Sequence, residues 1–344
     1  MKALSGYTPD GLVRALPDLL GREIPAYRGR QISEWLVRGA SSFDQMTNLP
    51  RSLREELSRC SVVYSTTGQE ALEDGDGTVK LVISLHDQAK IEAVLLKDQE
   101  GRKTACLSTQ AGCPMGCVFC KTGTLGFRRN LSAAEIVEQF LRLKFFDQGL
   151  SNIVIMGMGE PLLNLEELRK AVAVIEDPDG FNFSKRRITL SSCGIIDGIA
   201  GLAEKGPPLE LAISIASADS ELRSRLMPVN RSNPLDKLKT ALLDYQKTVK
   251  RRITLELVLL RGINTRKEDA TALAAFAKGL ESVVNLIPWN PVPGLLFEGK
   301  ELETPSTGEI SSFASALEER GQHVTIRYRR GQGVSGACGQ LGSL

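Results

Sequence analysis

Three cysteines within eight residues, Cys113-Pro-Met-Gly-Cys117-Val-Phe-Cys120, are the part of this chain best suited to chemistry. The spacing, C-x3-C-x2-C, supplies three thiolates and no fourth ligand nearby, whereas a structural zinc site takes four, usually as two separated pairs. Three thiolates suit a 4Fe–4S cluster that keeps one iron open. An open iron can chelate the amino and carboxylate groups of S-adenosylmethionine (SAM) and pass an electron to its sulfonium. Two other readings stand beside this one: three reduced structural cysteines, and a zinc site completed by a remote residue. The available imidazoles, His86 and His323, both sit in strand-like runs far from the loop.

A second pair of sulfurs flanks this centre in a different way. Cys338 is the seventh residue from the C-terminal end, amid Gly331, Gly333, Gly336 and Gly339, outside any packed core element. A flexible Gly-rich tail can carry such a sulfur into an active site. Cys106 lies seven residues before the cluster motif, at the end of a strand and close to the same rim. Two cysteines able to meet beside an iron–sulfur cluster suggest thiol chemistry in turnover; the plainer reading is an accidental terminal cysteine and a buried strand cysteine. Cys60 and Cys193 have no such setting and read as packing residues. Met156-Gly157-Met158-Gly159-Glu160-Pro161 follows a strand directly; its glycines allow close backbone approach, and Glu160 can accept hydrogen bonds from an ammonium or a ribose. Alone it is a tight loop. One strand after the cysteine loop it is a candidate SAM contact, as are Ser191, Ser214 and Asn290 at the ends of later strands.

The elements that must hold these residues alternate. Strands are expected at Thr104–Ser108, Asn152–Gly157, Arg187–Ser192, Leu209–Ile215, Ile253–Leu260, Val283–Trp289 and His323–Tyr328, with helices between them. Ser132-Ala-Ala-Glu135 is a capping box opening one helix. Repeated strand–helix units imply a parallel sheet, here an α/β fold of the partial (β/α)6 barrel type over residues 99–330, with chemistry at the carboxyl ends of its strands. Ahead of it stand a helical module at residues 1–75, with apolar stripes through Leu12 and Leu16, Ile32 and Leu36, and Leu53 and Leu57, and a β-hairpin-like extension at 76–98. A flexible tail, 331–344, follows.

Composition excludes several classes. Hydrophobic residues at 42% and charged residues at 24% are ordinary for a globular protein. No apolar run approaches the roughly 18 residues needed to cross a bilayer, and the first residues lack the apolar stretch of a secretory signal. Seven cysteines, an odd number, argue for a reducing, cytoplasmic setting rather than a disulfide scaffold. Net charge is only +2. Local basic groups, among them Arg22, Arg28 and Arg30, Arg128-Arg129, Lys185-Arg186-Arg187, Lys250-Arg251-Arg252, and Arg327 with Arg329-Arg330, are compatible with RNA binding without establishing it.

The stretch Cys106-Leu-Ser-Thr-Gln-Ala-Gly-Cys113-Pro-Met-Gly-Cys117-Val-Phe-Cys120, with Gly126-Phe-Arg-Arg-Asn-Leu131, Gly157-Met-Gly-Glu160-Pro161, Arg225-Leu-Met-Pro228-Val-Asn230 and Ala337-Cys338-Gly-Gln-Leu341, resembles the RlmN/Cfr family. These are radical SAM methyltransferases that methylate an adenine ring carbon in 23S ribosomal RNA, some also acting on transfer RNA. The resemblance runs from about Pro25 to Leu341. It implies a 4Fe–4S cluster on Cys113, Cys117 and Cys120, and SAM contacts from Gly159, Glu160, Ser191, Ser214 and Asn290. It implies two SAM per turnover: one methylates Cys338, and the other is cleaved to a 5′-deoxyadenosyl radical that activates the S-methyl group. Glu92 matches the family's proton acceptor, and Cys106 the thiol that resolves the RNA adduct through a transient Cys106–Cys338 disulfide. An RNA substrate, a flavodoxin- or ferredoxin-type electron donor and a monomeric state are implied with it. Carbon 2 of adenine is the first expectation and carbon 8 the second.

Two departures bear on the substrate. Family members usually have His where this chain has Ala216, and an acidic pattern where the tail reads Gln332-Gly333-Val334-Ser335. A radical SAM enzyme acting on another RNA or a small molecule is therefore the nearest rival. A non-catalytic zinc-containing RNA-binding protein is the rival from another class.

Overall fold

The computed structural model describes residues 1–98, 100–327 and 329–342. Its N-terminal part is built from α1 (Pro9–Leu20), α2 (Ala26–Val37) and α3 (Arg51–Cys60). The expected stripes meet there in a core of their own, with Leu12, Leu16, Ile32, Leu36, Leu53 and Leu57 all buried. Thr8 starts α1 by accepting the Gly11 N–H at 3.0 Å, and Gly21 (φ 64°) ends it in the left-handed region. Pro25 and Pro50 occupy the N-caps of α2 and α3, where no intrahelical N–H is required. A buried carboxylate, Glu138, fastens this module to the barrel: it accepts from Ser5 Oγ at 2.7 Å, Ser65 N at 2.7 Å and Thr66 N at 2.8 Å.

Ten strands form one sheet whose spatial order is also the chain order. The first three are β1 (Gly68–Glu73), β2 (Val79–Ser84) and β3 (Lys90–Lys97). They run antiparallel and pair onto β4 (Lys103–Cys106), with Val94 opposite Cys106. From β4 the sheet is parallel, through β5 (Asn152–Ile155), β6 (Ile188–Ser192), β7 (Glu210–Ser214), β8 (Ile253–Leu259), β9 (Ser282–Pro288) and β10 (Val324–Ile326). The crossovers are α4 (Ala133–Phe146), α5 (Leu165–Glu176), α6 (Ile196–Lys205), α7 (Leu235–Val249), α8 (Lys267–Ala277) and α9 (Thr307–Glu318). Seven parallel strands with six helical crossovers are the partial barrel expected from the sequence. The strands read as apolar runs because both faces are covered, as in Ile153, Val154 and Ile155.

The antiparallel extension is larger than a hairpin. β1, a polar strand with both faces open, lies in the segment read as helical, and it forms the free edge of the barrel's own sheet. His86 lies in the turn after β2 and His323 just before β10, so neither is within a strand. Among the described residues no helix is long and apolar enough to cross a membrane.

Candidate active site

The loop after β4 carries the three clustered cysteines. Its backbone is tied down at both ends: Cys113 N–H donates to Gly126 O at 2.9 Å and Val118 N–H to Leu226 O at 3.1 Å. Trp289 Nε1 donates to Phe119 O at 3.0 Å. Cys113, Cys117 and Cys120 line one cavity with Gly159, Glu160, Ser191, Ser214 and Asn290, so the barrel brings the expected cluster ligands and SAM contacts together. Gly157 and Gly159 form part of its wall. A Cβ on Gly157 would sit 2.6 Å from Ser108 Oγ, and one on Gly159, where φ is 102°, 2.5 Å from Gln110 Cβ. Glu160 is buried and anchored by the amides of Leu162 (3.0 Å) and Cys193 (2.8 Å); burial raises its pKa above the carboxylate norm.

The donor set fits a multi-iron cluster. All seven cysteines carry free thiols. Among the described residues no three His, Cys, Asp or Glu side chains converge on a point that a single metal ion could occupy, yet three thiols face one cavity. Burial pushes Cys113 up to about 12 and holds Cys117 and Cys120 above the ordinary thiol range, each to be reversed by iron taking the proton's place. Beneath them Arg223 is fully buried. It donates to Cys193 O at 2.8 Å, Ile215 O at 3.1 Å and Asn230 Oδ1 at 2.8 Å, all neutral acceptors. Among the described residues no carboxylate forms an ion pair with it. An unpaired buried cation is costly, and a cluster held on the neighbouring thiolates would supply the missing anion.

A second cavity, of about 400 Å³, adjoins the first, which is smaller at about 160 Å³. Met156, Ile287, Asn290 and Cys338 line both. Cys106 lines only the second, and the cluster cysteines only the first. Cys338 is exposed where the cavities open on it. Its thiol is still raised, first by burial and then by Glu256, while Arg327 opposes. Burial likewise pushes Cys106 up to about 12, with Cys338 adding to the rise. Arg327 Nη1 stands 4.0 Å from Cys338 Sγ, 3.5 Å from Met156 Sδ and 3.7 Å from Glu256 Oε1. A larger cleft, of about 1050 Å³, separates the helical module from the barrel, but no thiol lines it.

The tail expected as a mobile carrier is docked along β1–β3. Gly331 N–H donates to Asp76 Oδ2 and Gly333 N–H to Asp74 Oδ2, both at 2.8 Å. Asn290 Nδ2 donates to Cys338 O at 2.9 Å, and Lys121 N–H to Gly339 O at 2.8 Å. Glu92 lies under this tail rather than on either cavity wall. It is buried in an ion pair with Lys80 (3.5 Å), and its Oε2 accepts the Gly342 N–H at 2.9 Å.

Three further residues belong to the site. Glu256, a carboxylate inside the apolar strand β8, lines the cluster cavity and accepts from Ser191 Oγ at 2.7 Å. Arg327, read from sequence only as part of a basic group, joins Glu256 to Cys338. Cys193, read as packing, also lines the cluster cavity. A buried charge in an apolar strand was the signal that marks Glu256; Cys193 has none in the sequence. Ala216 packs among Phe119 and Trp289 in the left-handed conformation (φ 55°), its carbonyl accepting from Asn264 Nδ2 at 2.7 Å. Ala216 belongs to this packed wall and lines neither of the two cavities.

A cysteine trio at the mouth of a parallel partial barrel, facing a glycine-lined carboxylate, defines a radical SAM enzyme. A family model described as the radical SAM superfamily matches residues 107–274, and one described as the ribosomal RNA large subunit methyltransferase N-terminal domain matches residues 19–63. A Treponema denticola protein named "Probable dual-specificity RNA methyltransferase RlmN" is 51% identical over 312 residues, covering 91% of this chain and 88% of its own. A Thermus thermophilus protein of the same name is 44% identical over 316 residues, covering 90% and 87%. The crystal structure of a radical SAM methyltransferase from Sphaerobacter thermophilus superposes with a TM-score of 0.93 at 38% identity, covering all of both chains. The chain belongs to the RlmN family of radical SAM RNA methyltransferases, an enzyme family, which sets aside the non-catalytic zinc reading.

Proposed function

We propose that this enzyme methylates an adenine ring carbon, carbon 2 in 23S ribosomal RNA and in transfer RNA, with Cys338 as the carrier. The observation that supports this most directly is the position of Cys338 on the wall common to two cavities, one holding the cluster cysteines and the other Cys106. Adenine carbon 2 is not nucleophilic, so direct displacement on SAM cannot methylate it. When bound, the 4Fe–4S cluster supplies reductive cleavage of SAM to a 5′-deoxyadenosyl radical. The chain's own residues do the rest. Cys113, Cys117 and Cys120 hold the cluster, and Gly159, Glu160, Ser191, Ser214 and Asn290 hold SAM, two molecules per turnover. Cys338 takes a methyl group from one of them, releasing S-adenosylhomocysteine. The 5′-deoxyadenosyl radical from the other would take a hydrogen atom from the S-methyl group to become 5′-deoxyadenosine. The carbon radical so formed would add to the adenine, the adduct returning one electron to the oxidised cluster. Glu92 accepts a proton from the adduct. Because Gly342 and Lys80 now occupy its carboxylate, that role needs the tail to lift. Cys106 then attacks the Cys338 sulfur, the bond from that sulfur to the methylene carbon breaks, and the carbon takes a proton to become the methyl group. An external reductant opens the resulting Cys106–Cys338 disulfide.

The target adenine must leave its stack to reach a sulfur inside the barrel, so recognition favours unpaired or splayed RNA. The N-terminal helical module, α1 to α3, with its arginines, supplies contacts to the RNA backbone. The same reading makes the protein a cytoplasmic monomer served by a flavodoxin- or ferredoxin-type donor. Incubation with ribosomal and transfer RNA fragments, methyl-labelled SAM and a strong reductant tests it. Labelled 2-methyladenosine is expected in the nucleoside digest. Label at carbon 8, or label only in small molecules, overturns the assignment.

A further inference from the structure

Arg327 apart, the charges around the second cavity take no part in the steps above. Lys97, Arg102, Arg327, Arg329 and Arg330 line it against a single carboxylate, Asp98. In a chain of net charge +2 this is a strong local excess. Most of it is engaged. Arg102 Nε donates to Asp98 at 2.7 Å and its Nη2 pairs with Glu100 at 3.0 Å. Arg327 faces Glu256. Arg330 donates to the Lys97 carbonyl and lies in the field of Asp76, while Lys97 acts on Asp147. Arg329 is different. Among the described residues no carboxylate pairs with it and no acceptor receives its N–H groups, and desolvation alone acts on it. It is exposed, at the lip of the cavity.

Leu96, Val154, Ile287 and Pro288 give the cavity apolar walls, which it shares with the exposed Cys338 and the buried Cys106. A cavity of about 400 Å³ is at the small end of ligand sites, a size for one nucleoside and not for a helix. A base turned into it leaves its phosphates outside, level with the lip. A guanidinium presents a planar fork that matches phosphate oxygens bidentately. We propose that Arg329 binds a backbone phosphate next to the target nucleotide while the base occupies the second cavity. This rests on the RNA-methylation reading above.

The test uses the cluster-loaded full chain and an RNA fragment that the wild-type enzyme methylates. Arg329→Gln is expected to raise KM about tenfold near physiological salt, the loss of one charged hydrogen-bond contact, with kcat within about twofold. The slope of log KM against log salt should fall by about 0.7 to 1, one phosphate contact fewer. Arg329→Lys keeps the charge and should retain most of the slope. SAM cleavage without RNA and methyl label on Cys338 should be unchanged in both variants, which separates phosphate binding from misfolding. An Arg329→Gln enzyme with wild-type KM and slope overturns the proposal, as does a fall in kcat at unchanged KM. If the wild-type enzyme labels no RNA at all, the RNA reading itself fails, and that result appears before any variant is compared.

Discussion

The two cavities that meet at Cys338 are built on opposite charge. The cluster side presents Glu160 and Glu256, carboxylates matched to a cosubstrate bearing a sulfonium and an ammonium. The other side is rimmed by five cations and one carboxylate, matched to a polyanion. Each would repel the other's ligand, so a shared sulfur can serve both without the two competing for one site. Arg327 stands at the join, paired to Glu256 of the acidic side and reaching the Cys338 sulfur. On the proposed mechanism, division by charge rather than by distance is what would let the one thiol that lines both cavities serve both.

The largest effect expected from breaking this arrangement comes from its shared member. Cys338→Ala should reduce methyl transfer to RNA to background. Cys106→Ala should instead accumulate a covalent protein–RNA adduct visible on a denaturing gel; no adduct would mean that Cys106 does not resolve it. Next, Arg223→Leu removes the buried cation beneath the cluster. Iron and sulfide per chain should drop by more than about half, more than the loss in Arg223→Lys, because breaking a buried charge arrangement costs several kcal/mol. Circular dichroism on both variants guards against a general folding defect. Glu256→Gln weakens the acidic side: the SAM dissociation constant should rise about tenfold, or about 1.4 kcal/mol. RNA affinity should not fall, because Arg327 loses its carboxylate partner and gains free charge on the other side. Equal losses in both affinities would erase the distinction between the cavities.

The smallest effect is on stability. The Cys106 and Cys113 thiols are raised to about 12, above the roughly 8.5 of an unfolded chain. The unfolded cluster-free protein therefore releases these protons first. Its full stability is kept below about pH 8.5 and declines from there toward about pH 12. Urea midpoints taken between pH 8 and 10 should fall, and fall less steeply in Cys106→Ala. Cluster-loaded protein should lose the share of Cys113, Cys117 and Cys120, whose protons iron replaces, and keep that of Cys106, Cys193 and Cys338, all raised by burial.

How much of this was legible depended on distance along the chain. The cysteine loop could be read because its ligands are neighbours, and the parallel strands because burial on both faces leaves unbroken apolar runs such as Ile153 to Ile155. β1 could not, since Gly68-Gln-Glu-Ala-Leu-Glu73 is an open edge strand with no buried face to impose alternation. Glu256 and Arg327 lie 71 positions apart, and only the closing of β8 and β10 around one lumen makes them partners. The altered tail before Cys338 also finds its reason in a long-range contact. A Cβ on Gly333 would lie 2.7 Å from Asp74 Oδ1, so an acidic side chain there would meet another carboxylate.

The docking of that tail at Asp74, Asp76 and Glu92 turns Cys338 into a thiol on a leash with two pegs. Five residue steps reach it from Gly333 and four from Gly342, so at about 3.5 Å per step it can stray no more than about 14 to 18 Å even fully stretched. Within such a radius a tethered group has a local concentration in the millimolar range. While both pegs hold, the swing from cosubstrate to nucleobase that the proposed mechanism asks of Cys338 is a short pendulum stroke, and lengthening the leash would dilute the sulfur before it changed any contact.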